Sequence, residues 1–122
     1  MQSQQKIGRW GEDLAAAYLQ QHGYQIIERN IRTAYGEIDL LARQAECLVF
    51  VEVKTRRSNS LGPPEISISN RKQSHMQAAA QAYIQSLLGV QVDWRIDVVA
   101  VRSIAGQQPE IVHFENVIAS GN

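Results

Sequence analysis

The sequence predicts an α/β protein with a central mixed sheet flanked by helices. Three observations carry this. The apolar periodicities run in the order helix, three strands, helix, strand, strand. A meander followed by a helix and a further strand implies a mixed sheet with helices packed on it. The chain has 122 residues and is 44% hydrophobic, which suffices for a packed core in one domain spanning 1–122 and argues against disorder.

Ile7, Trp10, Leu14 and Tyr18 recur at spacings of three and four, with Gly11 and Ala15 on the same side. They predict a helix from about Ser3 to His22, with Gly23 as its C-cap. On a helical wheel Glu12 lies at the edge of this stripe, beside Ala15, Ala16 and Leu19. The wheel alone favours an ordinary first-turn glutamate supported by the helix dipole over one reaching into the sheet. Tyr24–Asn30 reads as a strand and Ile31–Tyr35 as a connection, with Arg29 and Arg32 flanking it. Gly36–Gln44 and Cys47–Thr55 read as the next two strands. Ser58–Ser69 is a loop, since Pro63 and Pro64 fit neither a helix interior nor a central strand.

The second helix carries Met76, Ala79, Ala80, Tyr83, Ile84, Leu87 and Leu88 on one stripe, with Ser69 as N-cap and Gly89 as C-cap. Lys72 stands four residues before Met76 and extends that stripe into the first turn. It either reaches the sheet or snorkels to solvent. Asp93–Arg102 is a fourth strand, with Ile96, Val98 and Ala100 on one face and Asp97, Val99 and Val101 on the other. Glu110–Val117 is a peripheral last strand, after a turn at Gly106 and Pro109, and the final ASGN is expected to fray.

No apolar run approaches the roughly 20 residues of a membrane span, so no membrane partner is expected. The N-terminus has no apolar segment of the signal-peptide kind, and a lone Cys47 allows no intrachain disulfide. Both fit a cytoplasmic location. Basic and acidic residues balance at 12 each, so global charge does not argue for nucleic acid. Locally, Lys54, Arg56, Arg57, Arg71 and Lys72 face only one acid, Glu65, over residues 54–72. Such an excess is either a solvated loop or a phosphate-facing rim. His22, His75 and His113 are scattered without metal-ligand spacing and read as surface or packing residues. No glycine-rich phosphate loop precedes a helix.

The stretch GEIDLLARQAECLVFVEVKTR, from Gly36 to Arg56, is where charge meets apolar strand. Ionised groups on such a strand need partners, a metal or a wet cleft. With Ala45 and Glu46 at a hairpin turn, opposed residue numbers sum to 91, which sets Asp39 against Glu52 and Glu37 against Lys54. Glu37, Asp39 and Leu41 share one face; Phe50, Glu52, Lys54 and Arg56 share another. Adjacent carboxylates repel unless a cation stands between them, either a lysine or a divalent metal. Oxygen-only ligands suit Mg²⁺ or Mn²⁺, and with Lys54 beside them they supply the parts of phosphodiester hydrolysis. The bland reading is a structural Glu–Lys pair with a surface aspartate.

Gly8–Ala16 (GRWGEDLAA), Gly36–Leu40 (GEIDL), Phe50–Arg56 (FVEVKTR), Lys72, Ala79–Ala80 and Arg95–Val99 (RIDVV) follow one another in order. Together they resemble the YraN-like proteins, a largely uncharacterised bacterial family of the PD-(D/E)xK nuclease superfamily, similar in layout to Holliday-junction resolvases. The resemblance covers nearly the whole chain. It implies a restriction-endonuclease-like α/β core, a divalent metal, and Asp39, Glu52 and Lys54 as the signature residues. Glu12 matches the helix acid of the resolvase-like branch, and Lys72 a later helical basic position. Ile38 stands where the signature has proline. The implied function is a metal-dependent endonuclease on structured or branched DNA, with Asp39 and Glu52 as metal ligands. Lys54 and Glu12 would join them in catalysis, Arg56 and Lys72 would contact phosphates, and a homodimer is expected where paired cuts are made. The rival reading is a non-catalytic nucleic-acid-binding or partner module on the same fold. DNA is favoured over RNA as the partner.

Overall fold

The computed structural model describes residues 4–57, 68–89 and 91–118, with side chains from residue 8 onward. Helix α1 (Gln4–Gln21) is followed by strands β1 (Gln25–Thr33), β2 (Gly36–Gln44) and β3 (Cys47–Arg57). Helix α2 (Asn70–Gln85) then leads to β4 (Asp93–Ser103) and β5 (Glu110–Phe114). The strands form one sheet in the order β1-β2-β3-β4-β5. Every neighbouring pair is antiparallel except β3 and β4, which run parallel because the α2 crossover carries the chain back between them. The result is the expected mixed sheet flanked by helices, consistent with a restriction-endonuclease-like α/β fold. Among the described residues no helix is long and apolar enough to cross a membrane.

Each face of the sheet is covered by one helix. On the α1 side, Ala15, Ala16 and Leu19 pack on Leu40, Ala42, Val49, Val51, Val99 and Val101. On the α2 side, Ala79 and Ala80 pack among Leu41, Leu48, Phe50 and Ile96. Strands β3 and β4 are thus apolar on both faces, as central strands require. Burying each such Leu or Val side chain contributes about 1.5–3 kcal/mol. Helix α1 approaches unusually closely at Gly11, where an added Cβ would collide with the side chain of Thr55 on β3. That approach sets the height of the neighbouring Glu12 above the sheet.

Several expectations are corrected. Residues 31–33 continue β1 instead of forming a connection, leaving a turn at Ala34–Tyr35. Trp10 is exposed, because the buried side of α1 is centred on Gly11, Ala15 and Leu19. Ser69 does cap α2, its hydroxyl accepting from the Lys72 N–H at 3.1 Å. The helix, however, ends at Gln85 with Ser86 as its cap, so Leu88 lies beyond the stripe and is 89% exposed. Strand β5 stops at Phe114. His113 is a packing histidine, its ring edge-on to Tyr18 and Tyr24, and it also has a polar partner the sequence did not show: its Nε2 lies 2.7 Å from the Asp97 carboxylate. Residues 58–67, which include the two adjacent prolines, and 119–122 lie outside the described residues.

One polar cluster sits within the α1-side core. Asp97 has no exposed surface. Its carboxylate accepts from Arg95 Nε at 3.0 Å and Nη2 at 3.2 Å, and from the Asn116 N–H at 2.8 Å, and it faces His113. Arg95 Nη2 also reaches the Tyr24 hydroxyl at 2.7 Å and Glu115 at 3.1 Å. Burial alone would raise the Asp97 pKa, but the bonds from His113, Arg95 and Asn116 outweigh it and hold the group below the usual carboxylate range. A buried charge satisfied this fully fastens elements together, here β4, β5 and the start of β1.

Candidate active site

The site is made where the sheet loses its regularity. The β2–β3 ladder follows the predicted sum of 91 from Gln44–Cys47 up to Leu40–Val51, and stops there. Beyond this point Asp39 replaces a backbone bond with a side-chain one: its Oδ2 accepts from the Val53 N–H at 2.8 Å. Strict alternation also fails on β2. Leu40 packs on the α1 side, whereas Ile38 and Leu41 both pack on the α2 side. The opposite residue on β1 slips in step. Asn30 takes φ 54 between Arg29 and Ile31, whose pairings with Leu40 and Ile38 stay in register. Asparagine tolerates this left-handed conformation at little cost. The assignment of Glu37, Asp39 and Leu41 to one face is therefore corrected. The double slip opens the sheet between β2 and β3 and puts Asp39 into the opening.

Four sequence-selected groups converge there. Asp39 is half-buried. Loss of hydration, then repulsion from Glu52 and more weakly from Glu12, pushes its pKa up to about 7 against the Val53 N–H and Lys72, which act the other way. Glu52, also half-buried on β3, is paired with Lys72 from α2, Nζ to Oε1 at 3.3 Å. Lys72 thus reaches the sheet, and its partner is a carboxylate. Glu12 is half-buried at the other edge of the opening, and burial raises its pKa despite Arg29 and Asn30. With its amide turned to satisfy both acids, Asn30 donates to Glu12 Oε1 at 3.2 Å and to Glu37 Oε1 at 3.3 Å. The inward orientation of Glu12, the weaker reading from the wheel, is the observed one.

Lys54 and Arg56 are not drawn into this cluster to the same degree. Lys54 is half-buried on the same face of β3 as Glu52 and makes no ion pair among the described residues. Arg56 is exposed near the strand end. One participant was missed from the sequence, Asn30, which joins Glu12 to Glu37; Glu37 was placed beside Asp39 but given no role. The available signal was an asparagine in mid-strand, a residue that rarely serves a strand interior without a reason.

The donor chemistry fits a hard divalent cation. Asp39 and Glu52 offer only oxygens, and burial together with repulsion from Glu52 makes the Asp39 carboxylate costly to ionise without a cation. Among the described residues, no group of three or more His, Cys, Asp or Glu side chains is gathered closely enough to hold an ion alone. The pair would therefore suit an ion such as Mg²⁺, which takes one or two carboxylates and completes its shell with water and substrate phosphate.

Fold and site define a small α/β protein whose central sheet is split open around an acid cluster. The chain belongs to the uncharacterised protein family UPF0102, which it matches over residues 11–101. It is 46% identical over 108 residues to a UPF0102 protein of Syntrophotalea carbinolica, covering 88% of this chain and 87% of that one. A UPF0102 protein of Geobacter metallireducens is 41% identical over 110 residues, 90% and 89% of the two chains. One of Chlorobium chlorochromatii is 46% identical over 109 residues, 89% and 84%.

Proposed function

We propose that this protein is a metal-dependent endonuclease of the PD-(D/E)xK kind, hydrolysing phosphodiester bonds in structured or branched DNA. The observation that carries the reading is the meeting of Asp39 and Glu52 at the opened ladder, with Asp39 pushed up to about 7 by burial first and by repulsion from Glu52 second. A purely structural carboxylate pair would have been neutralised, as Asp97 is by Arg95.

Asp39 and Glu52 would hold Mg²⁺ or Mn²⁺. Bound there, the ion would supply charge neutralisation at a phosphate oxygen and a lowered pKa for water. The Val53 N–H keeps Asp39 aimed into the opening. Lys54, on the same face as Glu52, orients the attacking water and stabilises charge developing on the phosphorus oxygens. Glu12, held by Asn30, holds or accepts a proton from a water on the α1 side. Lys72 exchanges its bond to Glu52 for one to a phosphate, and Arg56 contacts the strand further along. A junction substrate needs paired cuts and hence a symmetric dimer.

The test is Mn²⁺ titration by calorimetry, followed by assay of linear, flap and four-way DNA. Glu52→Ala and Lys54→Ala are expected to abolish Mn²⁺-dependent cleavage while DNA binding persists. Absence of Mn²⁺ binding at millimolar concentration, with and without DNA, defeats the catalytic reading. So does cleavage that survives both substitutions unchanged.

A further inference from the structure

Beside Glu52, on the α2 face, the structure contains a cavity of about 80 Å³. Ile38, Phe50, Met76, Ala79 and Ile96 give it an apolar interior, and Glu52 and Lys72 stand in its wall. A single water needs about 10–15 Å³, so the space is much larger than one solvent molecule, and its charged or polar lining side chains are Glu37, Glu52, Lys72 and His75. Tyr35, on the β1–β2 turn, also borders it. That residue is 54% exposed, the larger part of an aromatic side chain left in solvent. The turn that presents it is fastened: the Thr33 hydroxyl donates to the Gly36 carbonyl at 2.7 Å and accepts from the Tyr35 N–H at 3.1 Å. The ring is therefore presented from a held backbone.

We infer that this cavity receives one unpaired nucleobase of a DNA strand whose adjacent phosphate lies at Glu52 and Lys72. The inference rests on the nuclease reading and names its substrate class. The ligand must combine a flat apolar body with an anion only a few ångströms away. The apolar interior recognises the first and the Lys72 ammonium the second, and a nucleotide carries both. Tyr35 at the mouth supplies a ring face on which a base can stack. A base inside a duplex is paired and stacked on both sides, so it enters only after unpairing and unstacking at a cost of about a few kcal/mol, which an already unpaired base avoids. The cavity would then select strands that offer an unpaired nucleotide next to the scissile phosphate, as flaps and junction centres do.

The test measures binding by fluorescence anisotropy in EDTA, so that no cleavage occurs. Three labelled DNAs are compared: a flap with thymidine at the branch, the same flap with an abasic nucleotide there, and a fully paired duplex. The abasic change should weaken wild-type binding by about five- to 150-fold, the range set by stacking of one base on an aromatic ring. Tyr35→Ala should lose a comparable factor on the thymidine flap, nothing further on the abasic flap, and nothing on the duplex. Met76→Trp, which fills the cavity, should reproduce this pattern without removing Tyr35. Equal wild-type affinity for the two flaps overturns the inference, and is the result expected if another part of this chain or a protein partner fills the cavity. Equal weakening of flap and duplex by Tyr35→Ala overturns it too. The nuclease reading is judged separately, by Mn²⁺-dependent cleavage in wild type and Glu52→Gln. Glu52-dependent cleavage without base-dependent binding refutes only the pocket. Base-dependent binding without cleavage refutes only the catalysis.

Discussion

Replacing Asp39 by Asn should stabilise the metal-free protein while destroying its proposed activity. Asp39 binds its proton more tightly folded than unfolded, its pKa moving from 3.8 to about 7. The stability that comes with protonation is complete below the unfolded value, declines as pH rises, and is lost once pH passes the folded value. A shift of that size is worth about 4 kcal/mol at most, and about 2 kcal/mol once water entering the opening is allowed for. Asparagine is uncharged and nearly isosteric, and its Oδ1 can still accept from the Val53 N–H. Thermal melts in EDTA should therefore show Asp39→Asn gaining roughly 6–10 °C at pH 8 and little near pH 4, for a domain of this size. Asp39→Ala relieves the same charge but strands the Val53 N–H, so it should fall about 1–3 kcal/mol below Asp39→Asn. A gain that does not grow between pH 4 and pH 7 would refute the reasoning, because burial and Glu52 would then not be the source of the shift.

Three further outcomes follow from other parts of the molecule. Gly11→Ala drives a Cβ into Thr55 and should cost about 1–3 kcal/mol in urea unfolding; Thr55→Ala should recover much of this, giving a measurable coupling in a double-mutant cycle. Asp97→Asn disrupts a fully buried charge bonded to Arg95 and His113 and should cost about 3–5 kcal/mol at pH 7. Because the folded Asp97 pKa is lowered, the stability it provides is present above the unfolded value of 3.8 and is lost as pH falls through the folded one, so the variant's penalty should shrink in acid. Lys72→Ala should weaken DNA binding similarly across sequences and lower the slope of log affinity against log salt by about one, as measured by anisotropy at several salt concentrations.

The fold was readable because periodicity reports burial directly. Met76, Ala79, Ala80 and Tyr83 mark α2 by spacing, and the unbroken run from Leu48 to Val51 marks a strand covered on both faces. The hairpin register was readable because a two-residue turn fixes the sum of paired positions, which held from Gln44–Cys47 to Leu40–Val51. The site's own geometry was less so. Extending alternation through Asp39 placed it directly opposite Glu52, whereas β2 breaks its alternation between Ile38 and Leu40, beside Asn30 on β1. A single left-handed residue reverses every face beyond it, and strand pattern alone cannot say which asparagine does this. The Asp97 cluster was hidden for a different reason. Its members come from the residue before β1, from β4 and β5, and from the segment after β5, so only the sheet order brings Arg95, His113 and Asn116 to one carboxylate and Tyr24 to Arg95.

Asp39 and Asp97 then serve as a controlled comparison within one sheet. Both are withdrawn from water on strands of high apolar content, and in both, burial is the largest influence on the carboxyl. At Asp97 the fold supplies Arg95, His113 and the Asn116 N–H, and the group is held ionised. At Asp39 it supplies one N–H and a lysine bonded elsewhere, and adds the charges of Glu52 and Glu12. A sheet able to neutralise one buried aspartate so fully leaves the other short of positive charge beside an opened ladder. That shortage is a standing destabilisation, and a ligand that brings cations relieves it. The same deficit that should make Asp39→Asn more stable is thus the attraction on which a metal-bearing phosphate would draw.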